Sequence, residues 1–349
     1  MAAAADSAEG VFASKSGRAL AFACSFTICL MAAGALAITL FGQPHPPAIV
    51  LDLPEPAGPH APPATPSAEA PATRPVTQVL HAGTALLADP ALIENTAQGP
   101  LPRIADDGRK PMTAYAGAAP ASAKFKIAIV VGGLGLSAAA TKSALDQLPA
   151  GVTLGFAPYA GDAGQWVRDA RARGHEVLLE IPMEPFDFPD SDPGPHTLRA
   201  GQEEEANIQR LTWALTRFTG YAGVTNLLGQ RFLSDSEALS PILTYLNRRG
   251  LYIFDNGAAA QSVLPTVASQ VGIPAAQSGP ALDTIQTALE IDRRLSDLET
   301  QARANGSAVG SAFLYPVSIA RIAAWARGLQ SRGFVLVPVS AIVTQPTTK

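Results

Sequence analysis

Residues 126–133 read KIAIVVGG, an apolar run that closes on two glycines. Polar residues do not alternate with apolar ones here, so both faces of the segment need cover, as in a buried strand of a parallel sheet. Ser137–Leu148 continues with helical spacing, VTLGFAP (152–158) reads as a second strand, and Gln165–Arg173 is a helix stopped by Gly174. EVLLEIP (176–182) is the third strand. A polar, Pro-rich loop, MEPFDFPDSDPGPHTL, precedes a helix from Glu203 to Phe218. GVTN (223–226), LYIFD (251–255), GIPAA (272–276), AVGSAFL (308–314) and FVLVPV (334–339) have the character of further strands. Helical stretches at Ser236–Arg249, Thr284–Asn305 and Ser318–Arg332 lie between most of them. Such alternation calls for a parallel sheet flanked by helices. Seven or eight strands can close as a barrel or stay open and doubly wound, and periodicity does not choose between the two.

Upstream the composition changes twice. Ala19–Phe41, ALAFACSFTICLMAAGALAITLF, carries no charge, and as a helix its 23 residues extend about 34 Å, enough to cross a bilayer core. Lys15 and Arg18 precede it, and the first charges after it, Asp52 and Glu55, are acidic; Asp6 and Glu9 also lie on the N-terminal side. The segment is longer than the apolar core of a cleaved signal peptide and reads as an uncleaved single-pass anchor. Residues 1–18 are then cytoplasmic, 19–41 span the inner membrane, and the remainder lies in the periplasm. Residues 42–122 are rich in Pro and Ala, as in QPHPPAIVLDLPEPAGPHAPPATP, and read as a disordered, semi-rigid tether. The folded domain is expected at 123–345.

The formal net charge of −4 gives no basic face for nucleic acid. Both cysteines, Cys24 and Cys29, lie in the apolar segment, so the domain has neither a disulfide framework nor a Cys-based zinc site. Gly133, Gly135 and Ala138 match a dinucleotide loop, but the second strand, ending GFAPYAG, lacks the acidic residue that holds a ribose. Polar side chains crowd instead around the third strand and its loop. His175, Glu176, Glu180, Glu184, Asp187, Asp190, Asp192 and His196 fall there, at the end of an α/β sheet where ligands bind. Glu184, Asp192 and His196, with Asn226 on the next strand, are candidate substrate-binding residues. Asp255 and Asp283 end short strands, as ligands, general bases or helix caps; Asp255 before Asn256-Gly257 is equally a simple turn.

Taken together, IAIVVGGLG, LPAGVTLGFAPYA, ARARGHEVLLEIPMEP with DPGPHTL, GYAGVTNLLGQRF, LNRRGLYIFDN and WARGLQSRGFVLVPVS resemble the divergent polysaccharide deacetylase family, over Lys124–Val343. The resemblance implies a distorted (β/α) barrel acting on an acetylated envelope sugar. It also implies two aspartates at the end of strand one, serving as base and metal ligand, and two histidines after strand three. This chain has Gly132 and Gly133 at the first place. At the second it keeps His175 nearby, with Glu180 and Glu184 where another histidine is sought. The loss points to a non-catalytic protein that binds an envelope glycan or an envelope protein. The alternative is a hydrolase with a rebuilt site. It would hold a zinc-like divalent metal through His175 and Glu180 and use Asp283 and Asp255 as catalytic carboxylates.

Overall fold

The computed structural model describes residues 88–120 and 124–344. The expected anchor, most of the tether and both cysteines lie outside them. No helix among the described residues is long and apolar enough to cross a membrane.

Two short strands, β1 (Ile93–Thr96) and β2 (Gly99–Pro102), form an antiparallel hairpin, followed by the one-turn helix α1 (Pro111–Ala114). The barrel strands are β3 (Lys126–Leu134), β4 (Thr153–Phe156), β5 (Val177–Met183), β6 (Gly223–Leu228), β7 (Tyr252–Asp255), β8 (Ala275–Gln277), β9 (Ser307–Phe313) and β10 (Val335–Leu336). Between them run α2 (Ala138–Gln147), α3 (Ala163–Ala172), α4 (Glu204–Leu215), α5 (Ser236–Arg248), α6 (Leu264–Val271), α7 (Ala288–Asn305) and α8 (Pro316–Arg327). All the barrel pairings are parallel, in the order β9-β3-β4-β5-β6-β7-β8. The start of β3 pairs with β10 and its end with β4. Strands β8 and β9 do not pair. The segment after β8 spans that gap, where Leu282 N–H donates to Ser311 O at 2.8 Å. A nearly closed, distorted (β/α) barrel results, so of the two arrangements left open by periodicity the chain takes the closed one.

Helix boundaries follow local chemistry. Ser137 caps α2 by accepting from Ala140 N–H, and Asp235 caps α5 by accepting from Glu237 and Ala238 N–H. Gly306 ends α7 in the left-handed region at φ 80°.

Alternation along each strand divides the core in two. One set of side chains packs against the helices, including Ile127, Ile129, Val131, Leu179, Ile181 and Ile253. The other fills the barrel, including Ala128, Val130, Leu178, Tyr252, Phe254, Val337 and Val339. The inner cluster also contains Leu92, Ala105, Met112 and Tyr115, from before β3.

Residues 88–120, expected as the end of the tether, are therefore part of the folded unit and stop the N-terminal end of the barrel. Glu176 sits at the centre of this closure. Its Oε2 accepts from Gly117 N–H at 2.8 Å, and its Oε1 from Tyr252 Oη at 3.0 Å, Ser340 N–H at 3.1 Å and Thr153 Oγ1 at 3.2 Å. An Arg249–Glu94 ion pair and a bond from Met112 N–H to Gly250 O hold the hairpin and α1 in place. Pro-rich sequence hid this segment, because its few apolar residues gain burial only against the finished barrel end.

Candidate functional site

At the opposite, C-terminal end the strands open onto a cavity of about 160 Å³. Register places Gly132 beside Phe313, and Glu180 beside Thr225. These four residues line the cavity with Asn256, Ser311 and Asp283.

Glu180 is its most unusual member. The side chain is 2 % exposed, and Oε1 accepts one hydrogen bond, from Gly133 N–H at 2.9 Å. Oε2 is buried without a hydrogen-bond partner, as is Thr225 Oγ1. Burial pushes the carboxyl up to about 8, with the Gly133 N–H pulling the other way, so at neutral pH it is mainly the uncharged acid.

Glycines on the adjacent strand β4 and on β3 beyond it make room for it. A Cβ on Gly132 would collide with Glu180 Oε1, and one on Gly155 would lie 3.3 Å from Glu180 Cγ. Gly133 has φ +84°, and a Cβ there would run into the Phe313 ring. The double glycine thus brings the β3 backbone up to a carboxyl carried by β5.

The other expected residues separate. Asp283 reaches the cavity, but its Oδ2 already accepts from Phe313 N–H at 2.8 Å and Ser318 Oγ at 2.7 Å, tying the loop after β8 to β9 and α8. Burial raises its pKa and these two donors oppose the rise. Asp255 is fully buried outside the cavity lining; its Oδ1 accepts from Gly257 N–H and its Oδ2 from Gln277 Nε2, each at 2.9 Å. It makes the turn that Asn256-Gly257 suggested and joins β7 to β8. Asn226 forms a reciprocal pair with Asn256: each amide donates to the other residue, and Asn256 N–H donates to Asn226 Oδ1 at 3.0 Å.

Glu184 accepts from Ala200 N–H at 2.7 Å and faces Arg231 at 3.6 Å, pinning the long loop after β5. Asp192 is exposed in that loop and accepts from Gly194 N–H. His196 stacks on Trp213 away from the cavity, with centroids 3.6 Å apart and planes within 12°. His175 lies before β5, at the barrel's other end, about 16 Å along the strand from Glu180. Its Nδ1–H donates to Val152 O at 2.9 Å, and burial lowers its pKa.

The residues do not fit the divalent metal that the family resemblance implies. Among the described residues no three His, Cys, Asp or Glu side chains come together as a ligand set. Glu180 offers an uncharged acid, Asp283 is tied to two donors, and His175 faces the wrong end. Thr225, Ser311 and Phe313, which complete the cavity, were not singled out in the sequence. Period-two alternation from Glu180 across to β6 would have selected Thr225 ahead of Asn226.

Comparison with known proteins agrees with this architecture. An uncharacterized protein of Haemophilus influenzae is 23 % identical over 207 residues, covering 59 % of this chain and 73 % of its own. The uncharacterized protein YibQ of Escherichia coli is 23 % identical over 222 residues, 63 % of this chain and 68 % of its own. The crystal structure of the uncharacterized protein ATU2773 from Agrobacterium tumefaciens C58 superposes with a TM-score of 0.69 at 43 % identity, covering 70 % of this chain and all of that one. Residues 129–343, from the middle of β3 to just past β10, match the family described as divergent polysaccharide deacetylase. With the barrel and its altered mouth in view, the chain belongs to the divergent polysaccharide deacetylase family.

Proposed function

We propose that this chain is an envelope protein in which a deacetylase-type barrel is kept to bind a glycan and does not hydrolyse it. In this reading residues 19–41 anchor it in the inner membrane and the barrel works in the periplasm. One observation carries the proposal: the Glu180 carboxyl occupies the space into which a side chain at Gly132 would project, and a backbone N–H holds it there. The space in which a strand-one carboxylate would hold a metal and activate water is filled by an uncharged acid. Metal-dependent hydrolysis of an amide or ester needs both an open metal position and a base.

The rim supports a binding role. Leu136, Phe186, Ile285 and Leu289, the large apolar side chains most exposed among the described residues, all lie on segments that leave the C-terminal ends of β3, β5 and β8. Apolar faces around a small, mostly apolar cavity that carries a few polar groups suit the faces of sugar rings.

The test pairs two measurements on the purified protein. Acetate release from acetylated envelope glycans is followed with and without zinc, manganese or nickel, and retention of the same glycans is measured by co-sedimentation. Retention without acetate release is expected. Metal-dependent acetate release that stops on adding chelator would overturn the proposal in favour of a rebuilt hydrolase.

A further inference from the structure

Outside the mouth, a second pocket of about 500 Å³ is lined by Trp213, Arg210 and Arg217, with His196, Gln209 and Gln98 around them. Its parts are fixed before any ligand arrives. The His196 ring lies flat on the Trp213 indole, and its backbone N–H donates to Tyr159 Oη at 3.4 Å. The Arg217 guanidinium sits 4.7 Å from the Trp213 ring centre, donating to Trp213 O at 3.0 Å and Thr216 Oγ1 at 2.8 Å. Arg210 donates to Asn207 Oδ1 at 3.2 Å.

Every one of these acceptors is a neutral oxygen. Neither arginine takes part in an ion pair among the described residues, whereas Arg109, Arg249, Arg293 and Arg321 each have a carboxylate. Glu205, on the same helix, accepts a hydrogen bond from Gln209 at 3.3 Å. The two positive charges lower the pKa of His196, with burial the larger cause, so the pocket is a region of positive potential around a neutral ring.

We propose that this pocket is a binding site for an acidic sugar, with Arg210 and Arg217 holding a carboxylate or phosphate group and the glutamine amides meeting ring hydroxyls. The chemistry favours an anion because guanidinium groups form strong charge-assisted bonds to such groups, and these two have none already. The volume admits a sugar-sized molecule. The site is separate from the mouth and stands whether or not the mouth binds glycan.

The full-length protein is titrated with glucuronate, glucose 6-phosphate, glucose and inorganic phosphate, following heat and tryptophan fluorescence. At least one acidic sugar is expected to bind, glucose is not, and the double variant Arg210→Gln/Arg217→Gln is expected to weaken binding at least about tenfold. Raising salt from about 50 to about 500 mM is expected to weaken it further. Arg168→Gln, on α3, serves as the control and is expected to leave affinity unchanged.

Preference for glucuronate points to uronate-bearing glycans, and preference for glucose 6-phosphate to phosphorylated ones; either supports the site. Equal binding of glucose, equal binding of inorganic phosphate, an unchanged double variant, or no binding of any probe up to about 20 mM each overturns it.

Discussion

Replacing Glu180 by Gln keeps the shape of the side chain and removes its ability to ionise. In the folded protein this carboxyl titrates near 8, against 4.5 for the free side chain. Its folded pKa is raised, so the proton is bound more tightly by the native state. The associated stability is intact below about pH 4.5 and is lost as pH rises toward 8. At 1.36 kcal/mol per pKa unit, the loss comes to about 1 kcal/mol at pH 5, about 3 at pH 7 and nearly 5 at pH 9.

Glu180→Gln escapes that loss, and other titrating groups cancel when the two proteins are compared at each pH. Urea unfolding of the unit Val76–Lys349 at the three pH values therefore predicts a variant that gains on the parent steadily with pH. The absolute offset between them depends on whether the Gln amide finds a partner near Thr225 Oγ1, so the slope is the diagnostic quantity. Two stability profiles running parallel from about pH 5 to pH 9 would refute the reasoning, because the carboxyl would then be solvated or paired in the native state.

Gly132→Ala pushes a methyl group into Glu180 and is expected to cost about 1–3 kcal/mol. In a cycle with Glu180→Ala the double variant should recover most of that cost, and simple additivity in denaturation would argue against the contact. Tyr252→Phe removes one of the four donors to Glu176 and should cost about 1–2 kcal/mol in the same assay. A fragment beginning at Lys124 lacks the stopper of residues 88–120. It is expected to be insoluble or to bind hydrophobic dyes, and a cooperative thermal transition matching that of Val76–Lys349 would contradict the closure.

Every strand from β3 onward was visible in the sequence because an apolar run covered on both faces leaves an unbroken signature, as in KIAIVVGG and EVLLEIP. Helix α6 leaves little signature in the sequence, being only Leu264–Val271 and starting in a polar stretch. The segment 88–120 leaves little for a different reason. Leu92, Leu101, Met112 and Tyr115 follow no period, and what orders them is a surface that exists only once the barrel has closed.

Glu180 and Asp283 stand out in the sequence as carboxylates and both line the cavity, but their neighbours carry no such mark, since the partner of Glu180 is a backbone N–H that no side-chain pattern reports. Asp255 was singled out by its position at a strand end, which marks tight turns as readily as ligand sites.

The stopper at the base has a mechanical consequence. The chain enters the folded unit through Asp89, whose carboxylate pairs with Arg109, and runs straight into the β1–β2 hairpin. A pull applied from the N-terminal side would load that ion pair and the Arg249–Glu94 pair before it reached any barrel strand. Once those yield, the strain passes to the Gly117–Glu176 bond at the barrel floor, while the cavity under Gly132 lies at the far end of the strands. The base would act as a mechanical fuse, giving way while the strand ends around the mouth keep their geometry.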